Sequence, residues 1–169
     1  MFTTGGNQGQ VAWLKGEPVT MAGRGRFMGV VYHEGEPSAD GTQNLGYSLY
    51  DTATFTVVSQ GPVSCISKGS SLSWIGFSND FSLLAMDSDG MVSMLAASSE
   101  NSWNWTPMLD TVGMKKSADD QFWPVTVYDG KLVCVPLKGG NTYPDASRRP
   151  VTTTLSMRLP LARSAVPKK

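Results

Sequence analysis

At 169 residues the chain is long enough to bury one sizeable core, and 40% hydrophobic against 17% charged residues excludes a disordered composition. Fourteen Lys and Arg against fourteen Asp and Glu leave no net charge, which argues against a protein that lives mainly on contacts to a phosphate backbone. Eighteen glycines and ten prolines break the chain too often for long helices.

Period-two alternation and short apolar runs predict strands throughout. In chain order they are Gln10–Leu14, Pro18–Ala22, Arg26–His33, Leu45–Asp51, Thr54–Ser59, Leu72–Phe77, Leu83–Asp87, Val92–Leu95, Trp103–Leu109, Trp123–Tyr128, Lys131–Pro136 and Val151–Leu159. Their Val, Thr, Tyr, Phe and Trp content suits a pleated surface. Turn signals stand between them at Gly23-Arg24-Gly25, Ser88-Asp89-Gly90 and Asp129-Gly130. The last is the strongest hairpin signal, because Gly takes positive φ readily. Longer loops are expected over Glu34–Gln43, Gly113–Asp120 and Lys138–Pro150, and a frayed basic tail over Ala162–Lys169.

The strands group into units of about 45–50 residues, restarting near Leu72 and Phe122, which is the repeat expected of four-stranded propeller blades. The expected fold is therefore all-β, a partial β-propeller of about three later blades at residues 18–62, 63–113 and 114–163. Residues 1–17 read as the end of a preceding blade, and 164–169 as a basic tail. A Greek-key sandwich has similar strand density. Propellers close with about four to eight blades, so three blades imply either a part of a longer ring or another β architecture.

Cys65 and Cys134 lie in the apolar or small-residue runs VSCIS and LVCVP and read as buried, reduced thiols. The opening MFTTGGNQGQ lacks the cationic end and apolar stretch of a signal peptide. No apolar run approaches the ~20 residues that cross a bilayer. Both features point inside the cell, where the Asn104-Trp105-Thr106 sequon is a chance match.

The residues that catalysis needs are missing from the pattern. His33 is the only histidine, so a His-based triad or a two-His zinc site has too few ligands. A Cys–His pair from His33 with Cys65 or Cys134 is conceivable, but His33 sits at a strand end before an acidic loop. CxxC, GxSxG and P-loop signatures are absent. Asp87-Ser88-Asp89-Gly90 offers a calcium-loop reading, yet Met91–Leu95 supplies no carboxylate and a tight turn explains the acids. Asp119 with Asp120, or Asp87 with Asp89, is the remaining carboxylate pair, with no cleft pattern around it. No catalytic, cofactor-binding or metal residue is assigned, and no cofactor is expected.

Trp74, Trp103, Trp105 and Trp123 fall in or beside strands, where large rings fill the space between sheets. Trp74 and Trp123 are expected to be buried; the alternative is a sugar-stacking platform. Arg24, Arg26, Arg148, Arg149, Arg158 and Arg163 are scattered, as solvated loop residues are.

Several blocks in order then resemble one family: Pro18–Gly25 (PVTMAGRG) leading to Val30–His33, Leu72–Ser78 (LSWIGFS), Asp87–Gly90 (DSDG), Trp103–Pro107 (WNWTP), Asp120–Trp123 (DQFW) and Leu132–Gly139 (LVCVPLKG). Nearly the whole chain is similar to the middle, SepB-type domain of the replisome adaptor family of acidic nucleoplasmic DNA-binding proteins, the WD-repeat and HMG-box type. The resemblance implies a nuclear, non-enzymatic hub. In it a propeller and a following helical bundle form a homotrimer, which links the GINS component of the replicative helicase to DNA polymerase alpha and touches chromatin indirectly. In that family partner peptides dock on the bundle, which this segment does not reach, so the binding residues stay unassigned. The competing class is a lectin-like or hydrolytic intracellular β-domain, which exposed tryptophans or a carboxylate-lined pocket would mark.

Overall fold

The computed structural model describes residues 11, 13–99 and 102–157. Among them the chain is all-β, with one short 3₁₀ turn at Val112–Met114. Its strands are β1 (Pro18–Arg24), β2 (Phe27–His33), β3 (Leu45–Asp51), β4 (Thr56–Pro62), β5 (Leu72–Phe77), β6 (Leu83–Asp87), β7 (Met91–Ser99), β8 (Ser102–Asp110), β9 (Gln121–Tyr128), β10 (Lys131–Leu137) and β11 (Thr153–Ser156). They form three antiparallel meanders, in the orders β1-β2-β3-β4, β5-β6-β7-β8 and β9-β10-β11. The architecture is a partial β-propeller of three blades.

β1, β5 and β9 are the inner strands, since β5 lies between the other two. The tie to the third blade is explicit. Ser78 bridges Val127 in parallel, and the Asn79 N–H donates to the Val127 carbonyl at 3.0 Å. The Asp129 N–H in turn donates to Asn79 Oδ1 at 3.0 Å. Asp129 and Gly130 both have positive φ, 50° and 66°, and Tyr128 pairs with Lys131. That is the two-residue hairpin the Asp-Gly pair predicts.

Period two then distributes the core. On β5, Ile75 and Phe77 face the first blade; on β6, Leu83 does the same while Leu84 and Met86 face the third. One apolar layer joins Val31, Leu45, Tyr47 and Leu49 of the first blade to Ile75, Phe77, Leu83 and Leu95 of the second. A second layer joins Leu84, Met86, Val92 and Leu109 to Val127, Leu132 and Cys134 of the third. The middle blade is covered on both faces, and every residue of β6 is buried.

Five expectations need correction. Among the described residues the third sheet has three strands rather than four; Val151–Leu159 contributes Thr153–Ser156, Val151 is 79% exposed, and Arg158 and Leu159 lie outside the described residues. No strand covers Val11, Trp13 or Leu14, and Gln10 and Ala12 lie outside the described residues. β4 begins at Thr56, since Thr52–Phe55 make the turn and Phe55 has a φ of 56°. Arg26 sits in the β1–β2 turn, reaching back to Asp51 at 2.9 Å. Trp123 is 43% exposed and no member of the second apolar layer, lining instead a cleft with Met86 and Asp87; Trp74 is half-buried against that layer.

The exposed ring makes a direct prediction. Trp123→Ala should change stability by less than about 1 kcal/mol, well below the ~3–5 kcal/mol of a fully buried aromatic. Denaturant titration measures it, and a loss of core size would show that another surface covers the ring.

Candidate functional site

The acidic turn after β6 is the most constrained polar feature. Asp87 is 1% exposed, and its carboxylate is fully engaged. Oδ2 accepts the Ser67 N–H at 3.0 Å and the Ser67 hydroxyl, and Oδ1 accepts the Met91 N–H at 2.9 Å. Gly90 carries a φ of 89°, and a Cβ there would meet Thr111 Oγ1 at 2.2 Å. The Thr111 hydroxyl and N–H both donate to the Gly90 carbonyl. Asp87 thus closes the β6–β7 turn onto the β4–β5 connection, while Asp89 points to solvent. Among the described residues no group of three or more His, Cys, Asp and Glu comes together.

The other candidates are dispersed. His33 ends β2, its N–H donating to the Glu17 carbonyl at 2.9 Å. Asp120 accepts the Ser117 N–H at 3.1 Å, and Asp119 is exposed. Both cysteines are free, Cys65 packing on the first apolar layer and Cys134 within the second. Burial pushes the Cys65 thiol up to about 12 and the Cys134 thiol up to about 11, which removes them as nucleophiles near neutrality. Iodoacetamide at pH 8 should therefore label neither in the native chain and both after unfolding, as read by mass spectrometry. The linkage sign follows: unfolded thiols ionise near 9.0, so their contribution to stability is full below pH 9 and falls as pH rises from about 9 toward 12.

What the fold offers instead is clefts between blades. One of about 250 Å³ lies beside the Asp87 turn, with Lys115, Phe122 and Trp123 on its walls. An outer groove of about 460 Å³ separates β4 from β8 and is lined by uncharged groups, including Gln60, Asn104, Trp103 and Trp105. There the Trp105 ring meets Tyr47 edge-on at 5.4 Å, and the Tyr47 hydroxyl shares a 2.7 Å hydrogen bond with Ser59. A third cleft, of about 300 Å³, lies between the turn after β8 and the outer part of the third blade. Met114, Phe122, Pro136 and Leu155 form its apolar lining, with Lys116, Lys138 and Asp120 at its polar margin.

Charge is unevenly placed among the blades. Residues 13–110 carry ten Asp and Glu against four Lys and Arg, whereas residues 111–157 carry six Lys and Arg against four Asp. The zero net charge conceals this division; counting charge unit by unit along the sequence reveals it. Arg148 and Arg149 are exposed in the β10–β11 loop; Arg158 and Arg163 lie outside the described residues.

The family described as "Minichromosome loss protein, Mcl1, middle region" matches residues 1–161. The chain belongs to that family. Relatives of this Mcl1 middle-region segment include human "WD repeat and HMG-box DNA-binding protein 1", 35% identical over 171 residues that cover 99% of the chain. "Protein ENHANCER OF LHP1 1" of Arabidopsis thaliana is 30% identical over 97% of the chain. "Minichromosome loss protein 1" of Schizosaccharomyces pombe is 31% identical over 73% of it. The matched stretch is 15% of the human protein, 17% of the plant one and 15% of the fission-yeast one. No helix of the described residues is long and apolar enough to cross a membrane.

Proposed function

We propose that this Mcl1 middle-region segment is a non-enzymatic scaffold within a nuclear replisome adaptor. In this reading its blades form the rigid part of a homotrimeric hub that links the GINS component of the replicative helicase to DNA polymerase alpha, with chromatin reached indirectly. The observation that carries it is the family match along residues 1–161, and the names of the relatives support a chromosomal role. The structure lends physical support: the Asp87 carboxylate is spent on backbone donors, its thiols are held protonated, and its inter-blade surfaces are apolar layers suited to rigidity.

The test is a longer chain carrying this segment with the regions that flank it in the relatives. It should run as a trimer in light scattering and capture GINS and polymerase alpha from purified mixtures, and deleting 18–157 should abolish both. A monomer at micromolar concentration that captures neither sinks the assignment. The lectin-like reading draws on one observation, the exposure of Trp13 (93%) and Trp123 (43%). Quenching of tryptophan fluorescence by an oligosaccharide, lost in Trp123→Ala, would favour it.

A further inference from the structure

The loop between β10 and β11, residues 138–152, carries the only adjacent arginines of the chain, Arg148 and Arg149. Both are exposed, and neither has an ion pair among the described residues. Three residues after Arg149 stands Thr152, also exposed and the last residue before β11. Residues 149–152 run without turn or bend, whereas residues 146–148 make one. Pro150 accounts for part of that, since it fixes its own φ and holds Arg149 extended. The segment also lies outside the β10–β11 ladder, whose pairing starts with Cys134 opposite Thr153. A strand lying beside β11 would pair with Thr153–Ser156 and leave residues 149–152 clear of the ladder.

The charge of the segment is one-sided. No Asp or Glu occurs from residue 146 to residue 169. Asp145, the nearest acid in sequence, accepts the Ser147 hydroxyl and N–H at 2.7 and 2.8 Å. Rival hydroxyls are less available. Ser147 is engaged by Asp145 and precedes the arginines. Thr153 is half-buried and paired with Cys134, and Thr154 is paired with Val133. Thr106, before Pro107, is half-buried opposite Met94 in β8, and the Ser117 N–H is held by Asp120.

We propose that Thr152 is a phosphorylation site for an arginine-directed protein kinase, one whose acidic substrate groove reads Arg149 three residues before the acceptor. The Thr152 hydroxyl oxygen attacks the γ-phosphorus of ATP. The bond from that phosphorus to the bridging oxygen breaks, ADP leaves, and the hydroxyl proton passes to the kinase's catalytic carboxylate. Arg149 offers the groove a planar, bidentate contact, and Arg148 adds charge beside it. A segment already extended loses little conformational freedom on docking. The product changes the third blade as a whole. Residues 111–157 carry six Lys and Arg against four Asp, and a phosphothreonine of about −2 charge cancels that surplus near neutral pH.

The test incubates the full native chain with ATP and, in turn, three purified kinases. One is a calmodulin-dependent kinase, which selects arginine three residues before the acceptor; the others are an acid-directed casein kinase and a proline-directed kinase. Mass spectrometry should place phosphate on Thr152 with the first enzyme alone, and Thr152→Val should abolish that phosphopeptide. Arg149→Ala should slow the reaction about tenfold or more, and Arg149→Lys, which keeps the charge but not the planar fork, should recover part of the rate. Absence of phosphate at Thr152, phosphate on Thr153 or Thr154 in its place, an unchanged rate for Arg149→Ala, or equal modification of Thr152 by either other kinase each overturns the proposal. So does modification of a synthetic peptide of residues 145–157 without modification of the native chain, because the folded segment would then be closed to the enzyme. None of these results bears on GINS, polymerase alpha or trimer formation, so the two readings fail separately.

Discussion

Asp87→Ala should cost about 3 kcal/mol or more of folding stability, although it removes only a short side chain. The loss comes from the donors left behind: the Ser67 N–H and hydroxyl and the Met91 N–H all end on that carboxylate. The residue is 1% exposed, so water cannot replace the acceptor without opening the turn. Asp87→Asn keeps one carbonyl oxygen and should lose less. Urea titration of both variants decides the matter; equal and small losses would mean that the turn re-pairs its donors. Added calcium should leave the melting temperature of the parent chain unchanged, because both carboxylate oxygens are already occupied.

The second large effect lies in the layer between the middle and third blades. Leu84 and Leu132 are both 0% exposed and belong to the same cluster, so each change to Ala should cost about 2–5 kcal/mol through lost burial and a residual cavity. The double variant should cost less than the sum, since neighbours sharing one cavity couple. Full additivity would show that the two leucines occupy separate pockets. Selective loss of protection in β9–β11, with β1–β3 intact, would place the damage in that layer.

The sequence carried the blades where alternation and turn chemistry agreed. Leu45–Asp51, Leu72–Phe77 and Leu83–Asp87 have the expected bounds because an apolar run there meets a turn at each end. Thr54-Phe55 misled for the opposite reason. Its β-rich composition suggests a strand, but Asp51 accepts the Ala53 N–H and holds a turn, and tertiary pairing outweighs propensity. Trp123 failed differently. Alternation shows that two faces exist, yet which face is covered depends on the neighbouring sheet, and no periodicity encodes that. The basic cleft went unseen because Lys116 and Lys138 are 22 positions apart in the sequence and meet only through the meander; a blade-by-blade charge count was the one available signal.

A middle blade buried on both faces also constrains how the molecule assembles. β6 has no solvent side on which to rest alone, so it gains most of its stabilisation only when Leu83 finds the first blade and Leu84 finds the third. In such a stacked array the free energy divides into units and the contacts between them, and each contact serves both of its neighbours. The end blades will then open before the centre, and hydrogen exchange should be slowest at β6, graded outward. A substitution at Leu84 is thereby felt in a blade whose own sequence is untouched, which makes cooperativity a property of the seams rather than of any single sheet.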